Sequence, residues 1–312
     1  MTKKSAGGEV LMKVAVMGAG AVGCYFGAML ARAGHDVTLI ARPQHVEAIR
    51  QHGLMFESRS FNGAIPVQAT TEASGVDDAD IVLFCVKSAD TESAGQSIAP
   101  FLKPNATVLC LQNGVDNAER LQATIRQIAV PAVVYVATEM AGPGHVKHHG
   151  RGELIVGASP ASADIARQFS DAAIPTTVSD NVISELWVKL ITNCAYNALS
   201  AVADLPYGPL LKVEGVTGVM HNVIDECTAV ARALNIPLPE TLRDATLALA
   251  AAMPAQHSST AQDLARGKLT EIDYLNGYVV KKGKELGIAT PTNLTLHVMV
   301  KLREAHLQHS HS

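Results

Sequence analysis

The sequence predicts an α/β chain in two parts: a mostly parallel sheet interleaved with helices, then an all-α C-terminal domain. Three observations carry this. Short, Val-rich apolar runs alternate with helical patterns through the first half, and such alternation implies crossovers and a parallel sheet. A glycine-rich turn follows the first of those runs and opens a helix. Past roughly residue 180 the strand-length runs stop and only helical periodicity remains.

Taken in order, Lys13–Met17 reads as a buried strand, followed by the turn Gly18–Gly23 and a helix over Val22–Arg32. Gly34 ends that helix, where a residue free to adopt positive φ is favoured. Val37–Ala41, Ile81–Val86, Thr107–Leu111 and Val133–Thr138 are further runs of strand length. In the second half Val182–Val202, Gly215–Leu234, Glu240–Ala252 and Glu271–Leu286 have helical periodicity. Pro206, Pro209, Pro237, Pro239, Pro254 and Pro291 fall between these segments or near their starts. The expected organisation is a loose tail over residues 1–11, a sheet domain over 12–178 and a helical substrate and catalytic domain over 179–312. The border lies in Pro175–Asn181, without a low-complexity linker, so two closely packed domains with a cleft between them are expected. The His-rich end, His306–Ser312, reads as a second tail, and its histidines lack the spacing of a metal site.

Composition limits the partners. The 312 residues are 48% hydrophobic and 17% charged, with a formal net charge of -4. No dense basic block is present, which argues against nucleic acid, because phosphate neutralisation needs clustered Lys and Arg. A small anion needs only one or two local cations. The five cysteines, Cys24, Cys85, Cys110, Cys194 and Cys227, form no CxxC pair. They read as buried thiols in a reducing compartment rather than a disulfide framework or zinc site. The N-terminus has no apolar signal-peptide core, and no run approaches the ~18 apolar residues of a membrane span. A soluble, cytoplasmic protein without membrane partners is expected. Oligomeric state is not legible, and a homodimer is compatible with the sequence.

Gly18-Ala19-Gly20-Ala21-Val22-Gly23 fits GxGxxG. Its glycines permit a tight turn, close approach of backbone to a pyrophosphate, and close helix–strand packing. The helix N-terminus behind it offers free N–H groups to an anion. With a strand before it and a second strand at the expected distance, the motif marks a Rossmann domain rather than a chance glycine cluster. These six residues are the expected dinucleotide contacts. The second strand ends Ala41-Arg42-Pro43 and carries no acid. An NAD site usually has an acidic residue there for the ribose 2′-hydroxyl, whereas a guanidinium suits a 2′-phosphate. The expected cofactor is therefore NADPH, held partly by Arg42; an ordinary surface arginine is the alternative. Lys87 and Asn113 follow two later strands, at the carboxyl ends where such sheets bind ligands. Each also has a plainer reading, as a solvated lysine and as half of an Asn-Gly turn.

Lys189, Asn193 and Asn197 lie four residues apart, on one stripe of a helix. The plain reading is the wet side of an amphipathic helix. Against it, Asn is a poor helix former, and the flanking Leu186, Leu190, Ile191, Cys194, Ala195 and Leu199 are apolar. A lysine and two amides in such surroundings need polar partners, which a ligand's oxygens would supply. A partly desolvated lysine also suits proton donation. Ser259 and Gln262 have capping-box spacing, so Ser259 reads as an N-cap. Thr270 reads as the start of the next helix, with Glu271 in its first turn, where the helix dipole favours an acid.

In combination these segments resemble the ketopantoate reductases (2-dehydropantoate 2-reductases). The resemblance rests on Gly18–Gly23, Arg42, Val86-Lys87, Gln112-Asn113-Gly114 and Trp187-Val188-Lys189-Leu190-Ile191-Thr192-Asn193-Cys194-Ala195-Tyr196-Asn197. It continues through Ser259 with Gln262-Asp263, Thr270–Gly277 and Gly287–Asn293, in the family's order. It implies that Lys189 is the general acid and that Glu271 positions and polarises the substrate. It also implies that Asn193, Asn197 and Ser259 bind substrate oxygens, with Asn113 and Lys87 beside the nicotinamide and substrate. One departure stands out: Pro206-Tyr207-Gly208 occupies a loop where well-studied members carry another asparagine. The implied reaction is NADPH-dependent reduction of 2-dehydropantoate to (R)-pantoate, a step of pantothenate biosynthesis. Alternatives are the same chemistry on another small 2-oxo acid, or a non-catalytic NADPH sensor, which would have no need of a proton donor.

Overall fold

The computed structural model describes residues 11–310. These divide into two compact units, the first running to Val182 and the second starting at Ile183. The expected tail over residues 1–11 lies outside the described residues except for Leu11.

The first unit opens with β1 (Lys13–Met17), α1 (Ala21–Arg32), β2 (Asp36–Ile40), α2 (Pro43–His52), β3 (Leu54–Glu57), β4 (Asn62–Ile65) and β5 (Gln68–Thr70). It continues with β6 (Ile81–Phe84), α3 (Thr91–Ile98), β7 (Thr107–Cys110) and α4 (Asn117–Gln122). It closes with β8 (Ala129–Gly142), β9 (His145–Gly157), α5 (Ser162–Asp171) and β10 (Thr176–Ser179). The sheet order is β4-β3-β9-β8-β7-β6-β1-β2-β5, with β10 beside β9. Pairing is parallel except for β3 with β4 and β8 with β9. Val14, Ala15 and Val16 of β1 are at most 2% exposed, because both faces of a parallel sheet are covered. Helix α1 ends in the expected way: Gly34 has φ 93°, its N–H bonds to Ala31 O, and His35 N–H bonds to Leu30 O. This pair of bonds satisfies carbonyls that the helix end would otherwise leave open.

Five strands are absent from the sequence reading: β3, β4, β5, β9 and β10. Their residues explain why. β4 is Asn-Gly-Ala-Ile, and the middle of β9 is Lys-His-His-Gly-Arg-Gly. Neither alternates cleanly in hydrophobicity, and pairing with neighbouring strands supplies what propensity does not. β8 is likewise longer than the expected Val133–Thr138. Its first residues pair parallel to β7 and the rest pair antiparallel to β9, with register shifts along the way.

The second unit is helical throughout its described residues: α6 (Val182–Ala203), α7 (Tyr207–Leu210), α8 (Val216–Ala233), α9 (Leu242–Ala252), α10 (Ser259–Ala265), α11 (Asn276–Leu286) and α12 (Pro291–Ser310). Two expectations need correction. The helix expected over Glu271–Leu286 is a 3₁₀ turn at Ile272–Tyr274, a break at Leu275 (φ -111°, ψ -106°), and then α11. The His-rich end is not a tail through residue 310, because α12 continues to Ser310, with the His309 ring bonded to Ala305 O. Among the described residues no helix is long and apolar enough to cross a membrane.

Candidate functional site

In the first unit the glycine turn is fixed by its neighbours. Gly18 N–H and Ala19 N–H both bond to Ile40 O, at 3.1 and 2.9 Å, which ties the turn to the end of β2. Gly18 has φ 90°, and a Cβ there would lie 2.7 Å from Val86 N; only glycine fits. A Cβ on Gly23 would lie 2.7 Å from Val16 Cγ1, so this glycine lets α1 sit close on β1. Gly20 differs from both. It is exposed, and a Cβ there would meet nothing within 4 Å. Gly20 is also the N-cap of α1, and among the described residues no side chain caps that helix. An uncapped helix N-terminus beside an open space fits an anionic group such as a pyrophosphate.

Arg42 stands at the N-cap of α2, extended (ψ 151°) before Pro43, and is exposed. It makes no ion pair among the described residues. Lys87 and Asn113 follow the adjacent parallel strands β6 and β7, whose last residues Phe84 and Cys110 are in register. Lys87 is exposed at the start of a short 3₁₀ turn, and Asn113 is partly buried just before Gly114, which has φ 100°.

In the second unit the polar stripe of α6 is set in apolar surroundings. Leu190, Ile191, Cys194 and Ala195 are at most 1% exposed. Asn197 is 2% exposed, while Lys189 and Asn193 are partly buried. Asn197 Nδ2 donates to Ser259 Oγ at 3.5 Å, so two of the expected substrate contacts meet directly. The N-cap expectation for Ser259 is corrected: Ser258 caps α10, its Oγ accepting from Ala261 N–H at 3.0 Å. Ser258 Oγ also faces Asn197 O at 3.1 Å, and Ser258 N–H bonds to Ser200 Oγ. The capping residue is the buried one; Ser259 is exposed one position along. Capping-box spacing pointed to the neighbouring serine because two serines stand in tandem.

Glu271 is partly buried in the loop before the 3₁₀ turn. That loop is latched from α12: Glu304, only 4% exposed, accepts both Thr270 N–H and Thr270 Oγ1 at 2.7 Å. Two residues beyond Glu271, Asp273 bonds to His297 (2.6 Å) and Lys301 (2.9 Å). The His297 hydrogen bond does most to hold the Asp273 carboxyl down at about 2, against an opposing effect of burial. Sequence reasoning missed Glu304, His297 and Lys301, which lie far along the chain with no motif.

Tyr207, the departure in the family pattern, is 8% exposed and packs on Tyr196 of α6, with ring centroids 4.4 Å apart. Burial pushes its phenol well above the ordinary range. The five cysteines are free. Burial raises Cys24 and Cys110 to about 12, so these thiols are inert side chains.

A Rossmann unit with an open glycine turn, and a helical unit with a lysine–amide stripe set among buried apolar side chains, define a two-part oxidoreductase. Residues 14–161 match the family described as ketopantoate reductase PanE/ApbA, and residues 181–304 match its C-terminal counterpart. The chain belongs to the ketopantoate reductase family. A 2-dehydropantoate 2-reductase of Halobacterium salinarum is 32% identical over 305 residues, covering 94% of this chain and 99% of that protein. The crystal structure of a PanE/ApbA family ketopantoate reductase from Ralstonia eutropha JMP134 is similar with a TM-score of 0.93 and 56% identity, covering 95% of this chain and 100% of that one. A D-mandelate dehydrogenase bound to NADH and anilino(oxo)acetate has a TM-score of 0.89 and 28% identity, over 95% of this chain and 100% of that one.

Proposed function

We propose that this chain reduces 2-dehydropantoate to (R)-pantoate with NADPH. The observation that supports this most is that both halves of the chain match one family, with the residues of the lysine stripe intact. NADPH, when bound, supplies a hydride to the C2 carbonyl carbon of the 2-oxo acid. The chain's residues do the rest. The α1 N-terminus and Gly20 receive the pyrophosphate, and Arg42 pairs with the 2′-phosphate. Lys189 gives a proton to the carbonyl oxygen as it becomes an alkoxide. Asn193, Asn197 and Ser259 hold substrate oxygens, and Glu271 orients the substrate. A soluble, cytoplasmic setting and a homodimer accord with this reading.

A second reading, a reductase of another 2-oxo acid, is favoured by two observations. Tyr207 presents an aromatic ring, buried on Tyr196, at the start of α7, where the family pattern has an asparagine, and the D-mandelate dehydrogenase neighbour was solved with a different 2-oxo acid. Its NADH is also the competing cofactor. One assay separates these readings: consumption of NADPH and NADH with a panel of 2-oxo acids. Turnover of 2-dehydropantoate with NADPH is the expected result. Turnover of another 2-oxo acid in its place would select the second reading, and no turnover with any would overturn both.

A further inference from the structure

Neither the glycine turn nor the lysine stripe uses a polar cluster buried in the first unit. Ser88 and Thr91 are fully buried, Asn117 is 3% exposed and Gln112 is 7% exposed. Their bonds converge on two backbone carbonyls. Asn113 O accepts from Asn117 Nδ2 at 2.6 Å and from Ser88 Oγ at 3.0 Å. Ser88 O accepts from Arg120 Nη2 at 2.9 Å and faces the Thr91 hydroxyl at 3.0 Å. Asn117 Oδ1 is itself held by Thr91 Oγ1 (3.0 Å) and Arg120 Nη1 (3.3 Å), and Gln112 Nε2 donates to Thr91 Oγ1 at 2.8 Å. Arg120 is anchored on Glu92 by a two-pronged pair at 2.7 and 2.6 Å, and that pairing holds the Glu92 carboxyl below its ordinary value.

Buried amides and hydroxyls gain little over apolar packing unless a defined geometry is needed. Here the geometry is that of two loops, at the ends of neighbouring strands, which carry Lys87 and Asn113. An Asn-Gly pair is a mobile turn when left alone. Fixing the Asn113 carbonyl fixes its peptide plane, and with it the direction of the Asn113 side chain. We infer that Asn117, with Ser88 as its bridge, is a positioning residue that sets Asn113 and Lys87 against the nicotinamide end of the bound dinucleotide. The inference rests on the dinucleotide reading above, and the emission and exchange readouts that decide it need no substrate.

The experiment compares wild type, Asn117→Asp, Asn117→Ala, Asn113→Ala and the Asn113→Ala/Asn117→Ala pair. Asn117→Asp is isosteric and keeps the acceptor toward Arg120 and Thr91 while losing both donors. NADPH is titrated by the emission of its nicotinamide, and amide exchange is followed over residues 111–117. The affinity of Asn117→Asp should stay within about threefold of wild type, because the glycine turn is untouched. Its bound-state nicotinamide emission should return toward that of free NADPH, and exchange at Asn113 and Gly114 should rise. In the pair, emission should match that of Asn113→Ala alone. With 2-dehydropantoate, kcat should fall by roughly ten- to a hundredfold, the cost of a misplaced reacting group. Wild-type emission and exchange in Asn117→Asp, or additive losses in the pair, would overturn the inference and leave Asn117 a structural residue. Wild-type emission in Asn113→Ala would overturn the placement of Asn113 itself. Failure of the wild type to bind NADPH would instead overturn the dinucleotide reading.

Discussion

Three glycines of one motif do three different jobs, and substitution separates them. Gly18→Ala forces an alanine to φ 90° and drives its Cβ onto the Val86 backbone. We expect a loss of at least about 2 kcal/mol, read as a lower urea midpoint. Gly20→Ala places the same methyl group in open space at an ordinary φ of -82°. The urea midpoint should not move, but NADPH should bind about tenfold or more weakly, because the methyl group would stand in the proposed path of the pyrophosphate. If Gly20→Ala bound NADPH as wild type does, the open space would not be the phosphate site. Arg42 tests the other end of the dinucleotide. Losing one charge-assisted phosphate pair in Arg42→Ala should cost about 1.5–3 kcal/mol of NADPH affinity and little for NADH. Equal wild-type affinity for the two cofactors would argue against the phosphate role of Arg42. Lys189→Ala should lower kcat by about two to four decades, the range of a positioned acid, while NADPH binding and thermal unfolding change little. Normal turnover with a lowered melting temperature would make Lys189 a packing residue.

At the scale of elements, the loop that carries Glu271 owes its position to α12. Thr270 is tied to Glu304, while Asp273 is tied to His297 and Lys301. The depressed Asp273 carboxyl stabilises the folded state above the ordinary carboxylate value of 3.8, and that contribution fades as pH falls toward about 2. Asp273 is half-exposed, so solvent screens the pair and the effect is modest. Urea unfolding of Asp273→Asn should show a variant less stable than wild type at neutral pH. The two should converge between about pH 4 and pH 2. A gap constant across that window would mean that the pairing adds nothing to stability. Element boundaries were legible where a local rule governs them, as at Gly34, and were missed where partners lie far along the chain. Ser258 rather than Ser259 caps α10, because burial against Asn197 and Ser200 selects one of two adjacent serines. Sequence spacing cannot make that choice.

At the scale of the whole molecule the open question is the substrate, and it can be put as a ratio. A site that hydrogen-bonds a substrate hydroxyl strongly rejects an analogue lacking it, because its own polar groups are left unpaired. With Asn193, Asn197, Ser259 and Glu271 as those groups, kcat/KM for 2-dehydropantoate should exceed that for 2-oxoisovalerate, which lacks the hydroxymethyl group. Ser259→Ala should narrow the gap if Ser259 reads the hydroxyl. Steady-state rates with both substrates check this, and equal values would favour a reductase of a different 2-oxo acid.

The sequence by itself determined the two-part plan, the glycine turn, the arginine after β2 and the polar stripe of α6. Each depends on neighbours in the chain: strand-length apolar runs, a four-residue helical spacing, a glycine where φ must be positive. Tertiary structure alone decided the five unread strands, the break before α11, the Glu304 latch on Thr270 and the cluster that holds Asn113. β9 illustrates why. Its Lys-His-His-Gly-Arg-Gly centre has poor strand propensity, yet β8 pairs along it, while β3 and β10 hold the two ends of β9 on the other side. In the same way Asn117 and Ser88 are unremarkable polar residues until folding brings both to one carbonyl. Such contacts take their energy from groups distant in sequence, and no local pattern records them.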